Sequence, residues 1–296
     1  MALYDSILFT GGYGMLASAI LRTLRQRGHE PTVTDRDTLD ITDPASVRAT
    51  FERARPTLLI NCAAYTAVDK AEQQEAIANA INGTAVGYLG AACREFGTAM
   101  VHYSTDFVFD GKSTAPYKPT DEPAPLSAYG RSKLLGEQEL QRHAPANWLI
   151  LRTAWLYGAN GPCFPATMVK VAKAGKPLKV VADQHGSPTY TFDLTDATLG
   201  LLDKGAASGI YHATNAGRTT WFDFTAAILE EFGLKTDLSP QLAADWKKLK
   251  PDAAERPGFS VMDVSATEQA LGRPMRPWRE ALRAYRQEIE QNGGLV

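Results

Sequence analysis

Near the start of the chain, an apolar run over residues 6–10 gives way to Gly11, Gly12 and Gly14, then to a helical pattern carried by Leu16, Ile20, Leu21 and Leu24. A short apolar run that ends in glycines and opens a helix reads as a buried parallel strand, a tight turn and a helix folded back on the strand. The glycines let backbone approach a pyrophosphate, and the bare N–H groups of a helix start favour its charge. The spacing is Gly11-x-x-Gly14-x-x-Ala17, so alanine stands at the third small position, where helix and strand pack. Gly28 suits the C-terminal cap of that helix.

A start of this kind calls for a parallel sheet with helical crossovers, and the remaining pattern supplies them. Strands are expected over 32–34, 58–61, 99–103, 148–152, 178–182 and 209–212. Thr42 or Asp43 caps a helix that has Pro44 in its first turn. Further helices are expected over 78–96, with Gly83, Gly87 and Gly90 as close-packing sites, and over 129–142, 165–174, 194–203, 221–232 and 277–290. Pro116, Pro119, Pro123 and Pro125 make 111–127 an ordered loop. Segment 236–257 is mixed. The expected architecture is α/β: a Rossmann-type doubly wound parallel sheet over 1–158, to which parts of 178–215 return, and a smaller C-terminal α/β substrate domain over 159–296.

The bulk numbers exclude several classes. With 296 residues, 44% of them hydrophobic, the chain can bury a full core, and a net charge of -2 gives no general attraction to nucleic acid or anionic membrane. No apolar run reaches the roughly 18 residues of a membrane span, and the N-terminus lacks the basic start and apolar stretch of a signal peptide. Cys62, Cys93 and Cys163 are far apart and form no metal-ligand pattern, so three buried thiols in a reducing, cytoplasmic setting are expected.

Three stretches carry chemistry. Tyr129 and Lys133 are four positions apart, on one face of a helix. A phenol titrates near ~10, and an ammonium beside it favours the phenolate, so the pair can exchange a proton with a carbonyl oxygen. Thr105 lies at the carboxyl end of the fourth strand, where open parallel sheets bind ligands, placed to hydrogen-bond a substrate oxygen. Asp35 ends the second strand about 20 residues after the glycines, where an acid binds ribose hydroxyls; Arg36, next to it, suits a 2′-phosphate instead. The two neighbours leave NADH and NADPH both open. His185 lies in a polar turn over 183–189 and reads as a hydrogen-bonding or surface residue.

These residues together resemble the extended short-chain dehydrogenase/reductase family. The likeness covers most of the chain. It is most specific in 61–72 (Asn-Cys-Ala-Ala-Tyr-Thr-Ala-Val-Asp-Lys-Ala-Glu), 102–109, 129–133, 152–155, 183–189 and Arg256-Pro257. Within the family the chain is similar to the branch that reduces the 4-keto group of a dTDP-linked 6-deoxysugar, forming dTDP-L-rhamnose. The resemblance implies a catalytic set of Thr105, Tyr129 and Lys133. It implies NADPH or NADH contacts from Gly11, Gly14, Met15 and Leu16 at the pyrophosphate, Asp40 and Ile41 at the adenine, and Ala63, Ala64 and Tyr65 at the nicotinamide. It implies that Thr66, Val68, Asp106, Phe107 and Trp155 line the deoxysugar, and that Lys133 lowers the Tyr129 pKa and holds the nicotinamide ribose. Ala17 and Phe107 depart from the family pattern, where glycine and tyrosine are usual, and the match weakens after Ser260. A homodimer is left open. No metal is expected, because Met15 lies in the region where some relatives would place a magnesium-binding glutamate.

Three other readings compete, and the hardest to exclude is a reductase acting on another dTDP-4-keto-deoxysugar. A 4,6-dehydratase of this fold needs a ring acid-base pair after the threonine; here the order is Thr105-Asp106-Phe107, with no glutamate. The regulatory β subunit of methionine adenosyltransferase shares the fold and sequence likeness, but a chain freed from catalysis need not keep Thr105, Tyr129 and Lys133 together.

Overall fold

The computed structural model describes residues 2–293. Strands β1 (Ile7–Thr10), β2 (Thr32–Val33), β3 (Leu58–Asn61), β4 (Ala99–Thr105) and β5 (Trp148–Thr153) lie parallel in one sheet, in the order 2-1-3-4-5, with Gly209–His212 parallel to β5 at the far edge. The direction of winding reverses between β1 and β3, so a crevice opens outside the carboxyl ends of those strands.

The pleat sends alternate side chains to opposite layers. Ile7, Phe9, Leu58, Ile60, Val101, Leu149 and Leu151 pack with helix α1 (Met15–Gln26) and the helix Thr191–Asp203. Leu8, Leu59, Met100 and Ile150 pack on the other face with α2 (Pro44–Ala54) and the helices Ala85–Phe96 and Ala128–His143. Asp43 caps α2 by accepting from Ala45 N–H, and Pro44 occupies its first turn. Both faces are therefore covered, as a parallel sheet requires.

The structure refines several expected elements. β2 is only two residues long, and β4 runs two residues further than its apolar pattern, to Thr105. The long helix expected over 78–96 is composite: Glu75–Asn79 passes through a π-helical turn, Ala80–Thr84, into Ala85–Phe96. That turn pushes backbone against the neighbouring helix. A Cβ on Gly136 would lie 2.1 Å from the Asn82 carbonyl oxygen, so only glycine fits there.

The later residues build a second cluster in which Phe164–Lys173, Trp221–Glu231 and Trp278–Gln291 enclose Tyr157, Tyr190, Phe224 and Tyr285. Leu178–Val181 pairs with Leu238–Gln241 rather than with the large sheet, and the His185–Gly186 turn is a short strand against Thr219–Thr220. Among the described residues no helix is long and apolar enough to cross a membrane.

Candidate active site

The carboxyl ends of β1, β3 and β4 open into a cleft of about 1320 Å³, larger than the ~300–1,000 Å³ of a single small-ligand site and roomy enough for a dinucleotide and a second molecule. One wall is the glycine turn. Gly11 has φ +66°, and a Cβ on it would fall 2.6 Å from Ala63 N, so the turn presses against the backbone that leaves β3. Gly14 precedes α1, and no side chain caps that helix start and no acid sits in its first turn. Met15 and Leu16 thus present unneutralised N–H groups to the cleft, as an anion requires.

Strand register sets the next layer. Thr10 pairs with Asn61, and Asn61 with His102, across three adjacent strands. The Thr10 hydroxyl donates to Asn61 Oδ1 (2.6 Å), and Ala63 N–H donates to the same oxygen (3.1 Å). This fixes the Asn61 amide, whose Nδ2 donates to His102 Nδ1 (3.0 Å). His102 Nε2 lies 3.4 Å from Lys133 Nζ, and Lys133 donates to the Tyr103 carbonyl oxygen at 2.6 Å. Burial, then the Lys133 charge, holds His102 well below the ordinary imidazole range, so it is neutral. Asn61 and His102 escaped the sequence reading: both sit inside apolar strand patterns, and only the inter-strand register joins them to Lys133.

Lys133 is buried, and desolvation lowers its pKa to about 8, against the opposing pull of Glu137. Glu137 is held by Arg152 of β5 through bonds of 2.8 and 2.6 Å, with both side chains buried, which ties the Tyr129 helix to the sheet. At that helix's start, Ser127 accepts from Gly130 N–H, and Ala128 N–H donates to Glu72. Asn82, carried by the π turn, donates to Ser132 Oγ and clamps the Tyr65 backbone.

Thr105, Asp106, Phe107 and Tyr129 line the cleft next to Lys133. The Thr105 hydroxyl donates to Asp106 Oδ1 (3.0 Å) and accepts from Phe107 N–H (3.2 Å). Asp106 is 2% exposed, and its Oδ2 has no hydrogen-bond partner. Burial raises its pKa to about 6, with the Ser260 and Thr105 hydroxyls opposing. Burial, then the Asp106 charge, pushes the Tyr129 phenol up to about 12, with Thr105 opposing. The sequence led us to expect Lys133 to depress that pKa. Instead the ammonium is spent on the Tyr103 carbonyl, and the environment of Tyr129 is governed by burial and by Asp106.

Two more walls complete the cleft. Trp155, at φ +47°, stacks on Trp221 with ring centroids 3.6 Å apart and planes at 10°; both line the cleft, as do Thr66 and Val68 of the 61–72 segment. Trp221, far along the chain, was read only as the start of a helix. The far end is formed by Asp35, Arg36, Asp40 and Ile41. Ala63 and Ala64 line the cleft, but Tyr65 does not: its hydroxyl donates to Gln74 and its ring packs beside Ala71, Ala78 and Ala128. A tyrosine expected near the nicotinamide therefore braces the loop from behind. Cys62 is half-buried at the cleft rather than buried with Cys93 and Cys163. No group of metal-ligating side chains occurs among the described residues.

The glycine cradle, the bare helix start and the length of the cleft fit a nicotinamide dinucleotide. The family described as RmlD substrate binding domain matches residues 5–291. The chain is 42% identical to dTDP-4-dehydrorhamnose reductase of Streptomyces griseus (93% of this chain, 91% of the relative). It is 41% identical to the spore coat polysaccharide biosynthesis protein SpsK of Bacillus subtilis (95% and 97%). It is 38% identical to dTDP-4-keto-6-deoxy-D-glucose reductase of Streptomyces niveus (94% and 95%). Among solved structures it resembles a dTDP-4-dehydrorhamnose reductase from Clostridium acetobutylicum, with a TM-score of 0.91, 38% identity and 96% and 99% coverage. It also resembles the Bacillus anthracis dTDP-4-dehydrorhamnose reductase in complex with NADP, with a TM-score of 0.90, 33% identity and the same coverage.

Proposed function

The chain belongs to the RmlD substrate binding domain family, and from that premise we propose that it is an oxidoreductase. It uses NADPH or NADH to reduce the 4-keto group of dTDP-4-dehydrorhamnose (dTDP-4-dehydro-6-deoxy-L-mannose), giving dTDP-L-rhamnose. The observation that carries this reading is that Thr105, Tyr129 and Lys133 meet in the same cleft as the glycine turn of α1. The 1–158 segment serves the cofactor and 159–296 mainly the sugar nucleotide, with Gly209–His212 returning to the large sheet. The enzyme works in the cytoplasm, a reading that three unpaired cysteines support.

Gly11, Gly14, Met15 and Leu16 hold the pyrophosphate, Asp40 and Ile41 the adenine, and Ala63 and Ala64 the nicotinamide side. When bound, the nicotinamide supplies the hydride for C4. Tyr129 transfers its phenolic proton to the oxygen that becomes the 4-hydroxyl. A high pKa keeps that proton in place until alkoxide charge develops on the substrate. Thr105 supports the same oxygen once its hydroxyl turns from Asp106, a contribution of about 2–4 kcal/mol for a donor of this type. Lys133, anchored on the Tyr103 carbonyl, has two further N–H groups for a ribose. Thr66, Val68, Asp106, Phe107 and the Trp155 face surround the deoxysugar.

The test mixes dTDP-glucose, a 4,6-dehydratase, a 3,5-epimerase and this protein, and follows nicotinamide absorbance and the product sugar. Consumption that needs the epimerase and yields dTDP-L-rhamnose is expected. The Streptomyces niveus relative favours a second reading, reduction of dTDP-4-keto-6-deoxy-D-glucose; consumption that proceeds equally without the epimerase would select it. Cofactor binding without consumption would leave a regulatory subunit.

A further inference from the structure

His102 has no task in the reaction described above, yet it is buried against Lys133. The polarity of that contact follows from the row of bonds behind it. Ala63 N–H, a backbone group that can only donate, reaches Asn61 Oδ1 at 3.1 Å, and the Thr10 hydroxyl donates to the same oxygen at 2.6 Å. Turning the Asn61 amide over would set its NH2 against both donors. Nδ2 therefore faces His102 Nδ1, 3.0 Å away, and that ring nitrogen must carry the lone pair. A neutral imidazole that accepts at Nδ1 holds its proton on Nε2. Nε2 lies 3.4 Å from Lys133 Nζ. An ammonium has three donors and no acceptor, so it meets this N–H as donor against donor, whereas a neutral amine offers a lone pair. The 2.6 Å bond from Lys133 to the Tyr103 carbonyl oxygen suits either form.

We propose that His102 is a positioning residue for Lys133 that faces it with a donor: the ring N–H fits the neutral amine better than the ammonium and so sets the alkaline limit of the reaction, where Lys133 loses the proton with which it holds the ribose. The proposal rests on the reading of Lys133 as the ribose-holding member of the catalytic set. Other groups act on the amine from the elements around it. Burial works against the ammonium, while Glu137, one turn along the same helix, and Cys62, after β3, favour it. Glu137 is already paired with buried Arg152, and burial pushes the Cys62 thiol up, so it keeps its proton. Tyr129, one turn earlier, and Asp106, after β4, line the same cleft. His102 is the neighbour whose donor direction the backbone of residue 63 fixes.

Nuclear magnetic resonance of the whole protein, with isotope-labelled histidine ring nitrogens, reads the tautomer without any substrate. The His102 signal is the one of five that disappears in His102→Leu. Its Nδ1 should report as unprotonated and its Nε2 as protonated throughout the neutral range. A proton on Nδ1, or an imidazolium, would overturn the proposal. Asn61→Asp puts an acceptor of the same shape where the amide donated, so the ring proton should move to Nδ1 and Nε2 should turn its lone pair to Lys133. The alkaline limb of kcat, expected at about 8 in the wild type, should then rise by about one unit or more. The added charge raises it as well, so Asn61→Asp combined with His102→Leu is the control. That pair keeps the charge without the ring, and most of the rise should vanish. A limb that moves as far in the pair as in Asn61→Asp alone would overturn the proposal, because charge would account for it all. Where the buried carboxylate prevents folding, the wild-type spectrum still decides. No turnover in the wild type would instead overturn the reading of the reaction, and the tautomer would be judged by the spectrum alone.

Discussion

The two ends of the cleft are built on opposite plans. At the chemical end, Asn61, His102, Thr105, Asp106 and Lys133 are buried on strand ends and a helix, and the bonds of Asn61, His102 and Lys133 run between elements far apart in sequence. At the adenosine end, Asp35 and Asp40 lie on short turns and bond to neighbours two or three residues away. The titrations differ accordingly. Desolvation moves Lys133 down to about 8 and Asp106 up to about 6, whereas local hydrogen bonds, not burial, lower Asp35 and Asp40. Low dielectric can reverse the ordinary charge preference of a group, and local hydrogen bonds to the charged form only reinforce it. The dry end is thus suited to moving a proton and the wet end to sorting ligands by charge.

The largest break in that contrast should come from Tyr129→Phe. Turnover should fall by at least ~100-fold, the range of a positioned acid, while NADPH affinity stays near wild type. Rapid-mixing kinetics with a parallel binding titration would check both. Near-normal turnover would move the proton donor elsewhere, and an equal loss of affinity would show that the two ends are not separable.

Next in size is the rigidity of the dry end. Gly136→Ala places a Cβ where the Asn82 carbonyl oxygen already lies within 2.1 Å, and backbone cannot step aside cheaply. Overpacking of this kind costs about 1–3 kcal/mol and should lower Tm by several degrees, with loss of turnover as the Tyr129 helix shifts. Thr38→Ala, on the exposed turn, should move Tm far less. Equal shifts would mean that the wet end is as tightly specified as the dry one.

Asp106 gives a smaller, pH-dependent effect. Its folded pKa of about 6 lies above the 3.8 of an unperturbed aspartate, so the folded state holds the proton more tightly than the unfolded chain. Burial therefore costs nothing below the unfolded value. The cost grows as pH rises between the two values and is complete above the folded one. Asp106→Asn should be increasingly more stable than wild type across that window and level off beyond it. The ionised carboxylate also occupies the Thr105 proton. The pH–rate profile of the wild type should carry an inflection at about 6 that Asn abolishes. A profile unchanged by the substitution would remove Asp106 from control of Thr105.

Much of this could be read before the structure because it is local. The glycine turn, the helix cap at Asp43 and the four-residue interval between Tyr129 and Lys133 are short-range patterns, and each falls on the element it implies. What depends on register or tertiary packing was not legible. The Thr10–Asn61–His102 row exists only because β1, β3 and β4 align, and the expected Lys133–Tyr129 coupling gave way to a carbonyl supplied by β4. Tyr65 shows the same limit from the other side. Its motif neighbours Ala63 and Ala64 line the cleft, but the clamp from Asn82 in an unforeseen π turn faces the tyrosine away. The turn chemistry of Asp35 and Thr38, three residues apart, was within reach of the sequence and went unread.

The smallest effect concerns the aromatic wall between the two plans. Trp155 holds a left-handed backbone, which a bulky residue adopts only at a cost of about 1–3 kcal/mol, so the surrounding structure must determine it. Two contacts do so. Gly186 leaves room for the indole, since a Cβ there would lie 2.5 Å from Trp155 Cε2, and Trp221 stacks on the indole's face. Such a stack is worth about 0.5–1.5 kcal/mol beyond the area it buries. Trp221→Leu should therefore raise the sugar-nucleotide KM by about two- to tenfold, the same energy read as affinity. It should leave kcat within about twofold, because the substitution does not touch Thr105, Tyr129 or Lys133. Steady-state kinetics give the split, and near-ultraviolet circular dichroism reports the loss of the indole pair. If the dichroism changes and KM does not, Trp155 keeps its pose without its partner. If kcat falls as far as in Tyr129→Phe, the wall orients the ketone itself, and the separation of a binding surface from the proton-moving end fails at that residue.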